Sequence, residues 1–215
     1  DLIIYDVDKN EVTNIENDST EFECYPAWSP DGKWLYYVSA HFEFRDTIPH
    51  EAECIKRSKE IKYSIYRKSF NPETMQFGPR EMVFDAASLG KSATLPRISP
   101  DGKYLLFSMG EWGCFHIWHR DADLYMLRLA DNKVWPLTKT NSPQAESFHN
   151  FSSNGKWIIF SSRRNDGDYT RLFFAHVDAD GNTTKAFELP QQDPDFHRMF
   201  MKSYNIPEFM RGPVT

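Results

Sequence analysis

Short runs of hydrophobic residues along the chain predict β-strands rather than helices. Three segments, residues 28–37, 98–107 and 151–160, share one pattern: an apolar residue, Ser, Pro or Ser, Asp or Asn, Gly, Lys, and then aromatic and aliphatic positions. Asp or Asn before Gly tolerates the positive φ that hairpin turns require. Each copy therefore predicts two strands joined by a tight turn. The nearly continuous apolar run after each Gly-Lys indicates a strand that is covered on both faces.

A second strand pair follows each hairpin, so each repeat predicts four antiparallel strands, labelled a to d in chain order. The predicted c and d strands are residues 63–68 and 81–84, 124–129 and 133–137, and 172–177 and 185–189. The turn glycines Gly32, Gly102 and Gly155 are 70 and 53 positions apart. Four-stranded units of about 40–50 residues are the size of propeller blades.

The repeated motif residues are predicted to act structurally, in turns and in packing between blades. They are Trp28, Asp31, Gly32, Trp34, Asp101, Gly102, Tyr104, Asn154, Gly155 and Trp157. Turn residues set the hairpin geometry, and large rings contribute much of the apolar area that a β-sheet core buries. None of these positions is expected to carry chemistry.

The predicted fold is all-β: a β-propeller of four-stranded antiparallel blades, with three full blades, half of another and a short C-terminal helix. Residues 1–19 supply strands c and d of the incomplete blade, and the full blades are residues 20–90, 91–143 and 144–190. Because no a–b hairpin precedes the first strands, we expect the chain to be the C-terminal part of a larger propeller. Residues 191–215 form the helix and an extended tail, with Asp193 as N-cap and Pro194 at the first helical position.

The motif Ser-Pro-Asp-Gly-Lys, followed by Asp-Leu-Tyr-Met-Leu at residues 123–127, resembles the WD-like β-propeller repeat of TolB. The resemblance covers about residues 20–190. More loosely, the chain resembles TolB-like proteins exported by Bacteroides-type bacteria. The resemblance implies the propeller fold and a periplasmic, exported or envelope-associated location, and it does not specify a ligand.

Composition narrows the classes of function. The 215 residues include 25 Lys and Arg against 31 Asp and Glu, and this net negative chain without a long basic stripe argues against nucleic-acid binding. No apolar run approaches the length that spans a bilayer. Cys24, Cys54 and Cys114 are too few for a disulfide scaffold, although one disulfide is compatible with them. The mixed charges of residues 51–62 predict a solvated loop.

The long b–c connections predict the functional face, because insertions in repeat proteins gather on the binding face. The second connection, residues 109–122, is rich in aromatic and titratable residues, Trp118 among them. Arg163 and Arg164 match the geometry of a carboxylate on a partner molecule. The alternative is that they pair with Asp166 or Asp168 in their own loop. The candidate binding residues are His41, Arg45, Glu111, Trp112, His116, His119, His149, Arg163 and Arg164.

The predicted function is a non-catalytic propeller that binds a protein, peptide or glycan partner through this face. The sequence contains no convincing nucleophile, closed zinc-ligand spacing or cofactor motif, so no catalytic residue and no cofactor is predicted. One alternative is a metal-assisted polysaccharide lyase or hydrolase, with a divalent metal shared by His41, His116 and His149. Another alternative is the accessory propeller of a larger peptidase.

Overall fold

The computed structural model describes residues 1–45, 48–210 and 212. These residues form one two-stranded and three four-stranded antiparallel sheets, in which strands adjacent in sequence are neighbours. A short helix follows the last sheet, so the predicted all-β architecture of four-stranded sheets with a C-terminal helix is confirmed. The strands are β1 (Leu2–Asp6), β2 (Glu11–Glu16), β3 (Glu21–Trp28), β4 (Trp34–His41), β5 (Ser64–Asn71), β6 (Gln76–Phe84), β7 (Ser92–Ile98), β8 (Tyr104–Gly110), β9 (Asp123–Arg128), β10 (Lys133–Pro136), β11 (Glu146–Phe151), β12 (Trp157–Ser162), β13 (Arg171–His176) and β14 (Phe187–Glu188), and the helices are α1 (His50–Lys56) and α2 (Phe196–Met199).

The chain divides into two compact units. Unit 1 is Asp1–Pro96 with Glu111–Cys114, and unit 2 is Arg97–Gly110 with Phe115–Thr215. Each unit contains its own apolar cluster, and each large side chain that is fully buried there contributes about 1.5–3 kcal/mol. The unit 1 cluster contains Leu2, Leu35 and Tyr37, and the unit 2 cluster contains Tyr104, Leu106, Leu124, Met126, Leu137, Phe151, Ile158, Phe160, Phe173, Ala175 and Val177.

In each four-stranded sheet the a–b and c–d turns lie at one end, here called the turn end, and the b–c connection lies at the opposite loop end. The a–b turns share one hydrogen-bond network. Ser99 Oγ donates to Asp101 Oδ1 (2.6 Å) and accepts from the Tyr104 N–H (2.9 Å), while the Lys103 N–H donates to Asp101 Oδ1 (3.1 Å). The other two copies repeat these bonds around Ser29 with Asp31 and around Ser152 with Asn154.

The predicted turn and the predicted buried strand are both present. Gly32, Gly102 and Gly155 have φ of 68°, 71° and 68°, the left-handed region that glycine adopts without strain. In strand b of the β7–β10 sheet, every residue from Tyr104 to Gly110 is buried. Because water reaches neither face, the strand is apolar at consecutive positions instead of alternating.

Two of the motif tryptophans are partly exposed, and their packing between blades stays a prediction. Trp28 is 44% exposed and Trp157 is 36% exposed. Each packs on its own sheet: the centre of the Trp28 ring lies 5.0 Å from that of Phe70, and the centre of the Trp157 ring lies 5.2 Å from that of His176. Both stand at the turn end of their sheets, where part of each side chain remains in solvent.

The expectation of a loop across residues 51–62 is wrong for most of that segment, because helix α1 and a single helical turn at Ser58–Glu60 lie there. Glu51 and Glu53 occupy its first turn and Lys56 its last, an arrangement that complements the helix dipole. Arg57 forms an ion pair with Glu53 one turn earlier, and the Arg45 N–H donates to both Glu53 carboxylate oxygens at 3.1 Å. These partners compensate the burial of the Glu53 carboxylate and allow the helix to dock.

The C-terminal helix begins later than predicted, at Phe196 instead of Pro194. Asp193 Oδ1 accepts the N–H of Asp195 (2.9 Å), so Asp193 closes a local turn instead of capping the helix. Strand β14 is also shorter than the predicted residues 185–189. The His176 N–H donates to the Thr184 hydroxyl (3.1 Å), whereas in a regular strand pair it would donate to a backbone carbonyl.

Arg171 holds the C-terminal segment against the β11–β14 sheet. Its residue is 2% exposed, and its guanidinium donates to the carbonyl oxygens of Lys202 (2.6 Å), Phe200 (2.8 Å) and His197 (3.1 Å). The Tyr204 N–H also donates to the Thr170 carbonyl (3.2 Å). These bonds place residues 200–205 beside the loop end of unit 2. Among the described residues, no helix is both long enough and apolar enough to cross a membrane.

Candidate functional site: an aromatic cleft at the loop end of unit 2

A cleft of about 420 Å³ opens at the loop end of unit 2. The b–c connections of the β7–β10 and β11–β14 sheets supply two of its walls, and the C-terminal segment supplies another. We call it the aromatic cleft, because rings and apolar side chains form most of its lining. These side chains are Phe115, Ile117, Trp118, Phe148 and Tyr204, with Arg163 at one edge.

A single helical turn at His116–Trp118 presents two of these rings to solvent. The Trp118 N–H donates to the Phe115 carbonyl (3.0 Å), and the His119 N–H donates to the His116 carbonyl (2.9 Å). His116 is fully buried and Ile117 is 4% exposed, whereas Phe115 is 62% and Trp118 69% exposed. The buried pair anchors the turn, so the two exposed rings are held at defined positions.

Arg163 supports the Trp118 ring from the neighbouring connection. Its guanidinium carbon lies 4.6 Å from the centre of that ring, a cation–π contact worth about 0.5–1 kcal/mol at an exposed site. The same guanidinium donates two hydrogen bonds, 2.7 Å and 3.2 Å, to the Asp168 carbonyl oxygen. Arg163 is therefore fixed by its own loop through a backbone carbonyl, and not through the carboxylate that the sequence-based alternative names.

Arg164, the next residue, points into the protein and pairs with Glu146. Its Nη2 lies 2.9 Å from Glu146 Oε1, which also accepts hydrogen bonds from Ser162 Oγ (2.9 Å) and Ser142 Oγ (2.5 Å). Burial raises the pKa of Glu146 and lowers the pKa of Arg164. In this structure Glu146 on strand a, and not Asp166 or Asp168, is the counter-ion of Arg164, and binding of a partner carboxylate by Arg164 stays a prediction.

The predicted histidines of unit 2 lie behind the cleft surface. His149 is 1% exposed, with Nε2 at 3.2 Å from the Leu106 carbonyl oxygen. His116 Nδ1 lies 3.2 Å from Ser108 Oγ, and the His116 and His119 rings are 5.6 Å apart. In this structure His116 and His149 contribute to packing, and their role in binding stays a prediction.

The remaining predicted residues belong to unit 1. His41 is exposed between Glu21 (3.3 Å) and Glu43 (3.4 Å), and Arg45 Nη2 lies 3.2 Å from Glu60. Glu111 and Trp112 lie in the segment that unit 1 takes from the second b–c connection. The predicted set is thus divided between the units.

In residues 1–45, 48–210 and 212, no three or more His, Cys, Asp or Glu side chains lie close enough together to hold a metal ion. A metal shared by His41, His116 and His149 stays a prediction.

Sequence reasoning missed Phe115, Phe148 and Tyr204. Phe148 has a φ of 52°, and Tyr25 and Leu95 at the corresponding position of the other repeats have 54° and 56°. The strand-pairing register shifts around Tyr25 and Phe148, as it does at a β-bulge. Each of these residues stands three positions before the apolar residue that opens the motif. An alignment of the repeats that began three residues earlier would therefore have singled out Phe148.

The comparisons with known proteins concern the fold. A scan against protein-family models gives no match, and a search of curated protein sequences gives none. Among solved structures, TolB from Acinetobacter baumannii matches with a TM-score of 0.51 and 22% identity over 85% of this chain and 36% of that chain. A putative TolB from Agrobacterium tumefaciens matches with a TM-score of 0.43 and 15% identity, over 87% and 68% of the two chains. The β-propeller domain of the Trilobed protease from Pyrococcus furiosus matches with a TM-score of 0.44 and 14% identity, over 81% and 44%.

The chain spans about a third of the length of the A. baumannii TolB chain. Similarity at 22% identity establishes the fold and leaves the activity open. Together with the four-stranded antiparallel sheets, it confirms the β-propeller fold that the repeated motif predicts.

Proposed function

We propose that this chain is a binding module whose aromatic cleft takes an extended peptide segment of a protein partner. The observation that carries the proposal is the exposure of Phe115 and Trp118, 62% and 69%, beside an apolar cleft. Large rings held in solvent around a concave apolar surface are typical of interaction sites, and tryptophan is prominent among the residues that dominate binding energy. The proposal assigns no catalytic step to the chain.

The lining favours a peptide over a glycan. A sugar needs polar side chains that point at its hydroxyl groups, but several polar groups of the cleft bond to the protein itself. Thr170 Oγ1 donates to the Tyr204 carbonyl, Ser203 Oγ accepts the Thr170 N–H (3.2 Å), and Arg163 donates to Asp168. An apolar or aromatic peptide side chain, by contrast, gains by leaving water and packing between Phe115, Trp118 and Phe148.

The propeller fold is common to binding proteins and enzymes, so the proposal of a role in association rests on the aromatic cleft. The resemblance of the repeat to TolB supports a periplasmic or otherwise exported location, where the partner would be a protein of the cell envelope. We therefore place the proposed peptide partner in that compartment.

Selection of peptides from a displayed random library on the immobilised protein tests the proposal. We expect the selected peptides to share an aromatic, proline or aliphatic anchor. Trp118→Ala weakens their affinity at least tenfold, about 1.4 kcal/mol, and leaves the melting temperature within a degree or two. Isothermal titration calorimetry measures the first effect and thermal melting the second.

Trp28→Ala is the matched control, because Trp28 is also exposed but lies in unit 1, outside the cleft. It keeps full affinity for the selected peptides. Peptides that bind Trp118→Ala as tightly as the parent protein would contradict the cleft as the site. Selective retention of oligosaccharides, with no peptide enriched, would contradict the peptide assignment.

A further inference from the structure

Two of the three cysteines meet in unit 1 although they are 90 positions apart in the sequence. Cys24 lies in β3, and Cys114 ends the segment of residues 111–114 that belongs to the same unit. The two thiols interact directly with each other, and each residue is half-buried. Cys54 lies on helix α1.

Hydrogen bonds fix the segment that carries Cys114. The Gly113 N–H donates to the Ile61 carbonyl (2.8 Å), and the Gly113 carbonyl accepts from Ser92 Oγ (2.6 Å). Lys62 Nζ donates to the Glu111 carbonyl (2.5 Å), and the Tyr25 hydroxyl donates to the Cys114 carbonyl (3.2 Å). The folded unit therefore fixes the segment that carries Cys114 beside Tyr25, the residue that follows Cys24 in β3.

The surroundings make the two thiols unequal. The hydrogen bond from Cys24 lowers the pKa of Cys114 to about 7, and the Tyr25 and Tyr63 hydroxyls act in the same direction. The same hydrogen bond, burial and the Glu23 carboxylate raise the pKa of Cys24. Burial and neighbouring acidic residues raise the pKa of Cys54. A thiolate is the nucleophile in disulfide exchange, so Cys114 reacts first.

We propose that Cys24 and Cys114 form a reversible disulfide that links β3 to the segment of residues 111–114. With a small disulfide such as oxidised glutathione, the Cys114 thiolate attacks one sulfur, a mixed disulfide forms and one glutathione thiolate leaves. Cys24 then loses its proton and attacks the Cys114 sulfur, which releases the second glutathione. Two protein thiols are oxidised, one small disulfide is reduced, and the two thiol protons end on the two glutathione molecules.

The cross-link closes a loop of 90 residues within the sequence. A cross-link across so long a loop lowers the conformational entropy of the unfolded chain, whereas the two cysteines are already neighbours in the folded unit. Oxidation therefore raises the melting temperature by several degrees. This inference does not depend on the proposed function, since Cys24 and Cys114 lie outside the aromatic cleft.

Thiol counting tests the proposal. The protein is incubated with oxidised glutathione or with dithiothreitol, unfolded, labelled with N-ethylmaleimide and weighed by mass spectrometry. We expect three labels after reduction and one, on Cys54, after oxidation, together with a proteolytic fragment that joins residues 24 and 114. Cys54→Ser keeps the cross-link and the gain in melting temperature, whereas Cys24→Ser loses both.

Three labels after oxidation of the folded protein would overturn the proposal. So would a disulfide that includes Cys54, a link between two molecules, or a glutathione adduct on Cys114 that never resolves. Circular dichroism of the parent protein before and after oxidation shows that the thiols are counted on the folded chain.

Discussion

The turn ends and the loop ends of the four-stranded sheets are stabilised in different ways. At the turn end, one bond from Ser Oγ to the Asp or Asn side chain recurs in all three sheets, at 2.6, 2.6 and 2.8 Å, and its partners are two residues apart. At the loop end, each sheet differs. One connection contains helix α1, the next contains the turn at His116–Trp118, and the third is anchored by Arg164 to Glu146, 18 positions away. Short-range bonds repeat with the sequence, and long-range ones vary.

The largest effect is expected where a long-range anchor is removed. Glu146→Ala leaves the largely buried Arg164 guanidinium without its carboxylate, and we expect a loss of about 3–5 kcal/mol in the free energy of unfolding. Urea denaturation followed by tryptophan fluorescence measures it. The double variant Glu146→Leu, Arg164→Met removes both charges and recovers most of the loss. A loss below about 1 kcal/mol in Glu146→Ala would show that the pair does not stabilise the loop end.

A smaller and uniform effect is expected at the turn end. Ser29→Ala, Ser99→Ala and Ser152→Ala each remove a buried hydroxyl that accepts a backbone N–H, at a cost of about 1–3 kcal/mol. Because the three networks match, the three losses agree closely in urea denaturation. Clearly unequal losses would break the comparison, since they would show that the sheet around a turn, and not the turn itself, sets its energy.

The smallest effect concerns charge at a c–d turn. Hydrogen bonds from Arg128, 2.9 Å and 2.7 Å, lower the pKa of Asp131 to about 2. Since the folded-state pKa lies below the unfolded value near 3.8, the carboxylate stabilises the fold above about pH 4, and this contribution is lost as the pH falls towards 2. The exposure of the pair keeps the effect small.

Stability measured from pH 2 to pH 7 for Asp131→Asn and the parent protein checks this assignment. The two curves separate near neutral pH and converge near pH 2. The pH dependence of stability that comes from Glu146 at the loop end has the opposite sign. Burial raises the pKa of Glu146, so its contribution to stability falls as the pH rises through its folded-state pKa. Parallel curves for Asp131→Asn and the parent protein would contradict the role of the Arg128 pair.

The difference between short-range bonds at the turn end and long-range bonds at the loop end explains which features the sequence predicts. The hairpins depend on residues within five positions of one another, so the Ser, Asp and Gly pattern is enough to place them. Arg164 could not be assigned, because its partner Glu146 is on another strand and nothing in the local pattern links them. The pairing of Cys24 with Cys114 is likewise a product of the folded sheet.

The candidate site was predicted only in part. The long b–c connections contain Arg163 and the segment with Trp118, and both line the aromatic cleft. Periodicity could not show that His116 turns inwards while Phe115 and Trp118 turn outwards, because a single helical turn is too short to leave a pattern. Tyr204 reaches the cleft through the bonds of the C-terminal segment, which the sequence predicts only as extended.

Arg171 couples the C-terminal segment to the β11–β14 sheet. A guanidinium keeps its proton in any protein environment, and the tail carbonyls of His197, Phe200 and Lys202 are where this one directs its donors. A protease that trimmed the chain before residue 196 would remove all three of these acceptors and uncover the part of the sheet that the C-terminal segment covers. Sheet and tail are therefore expected to melt together, and a shortened chain to be cleared instead of persisting as a smaller folded product.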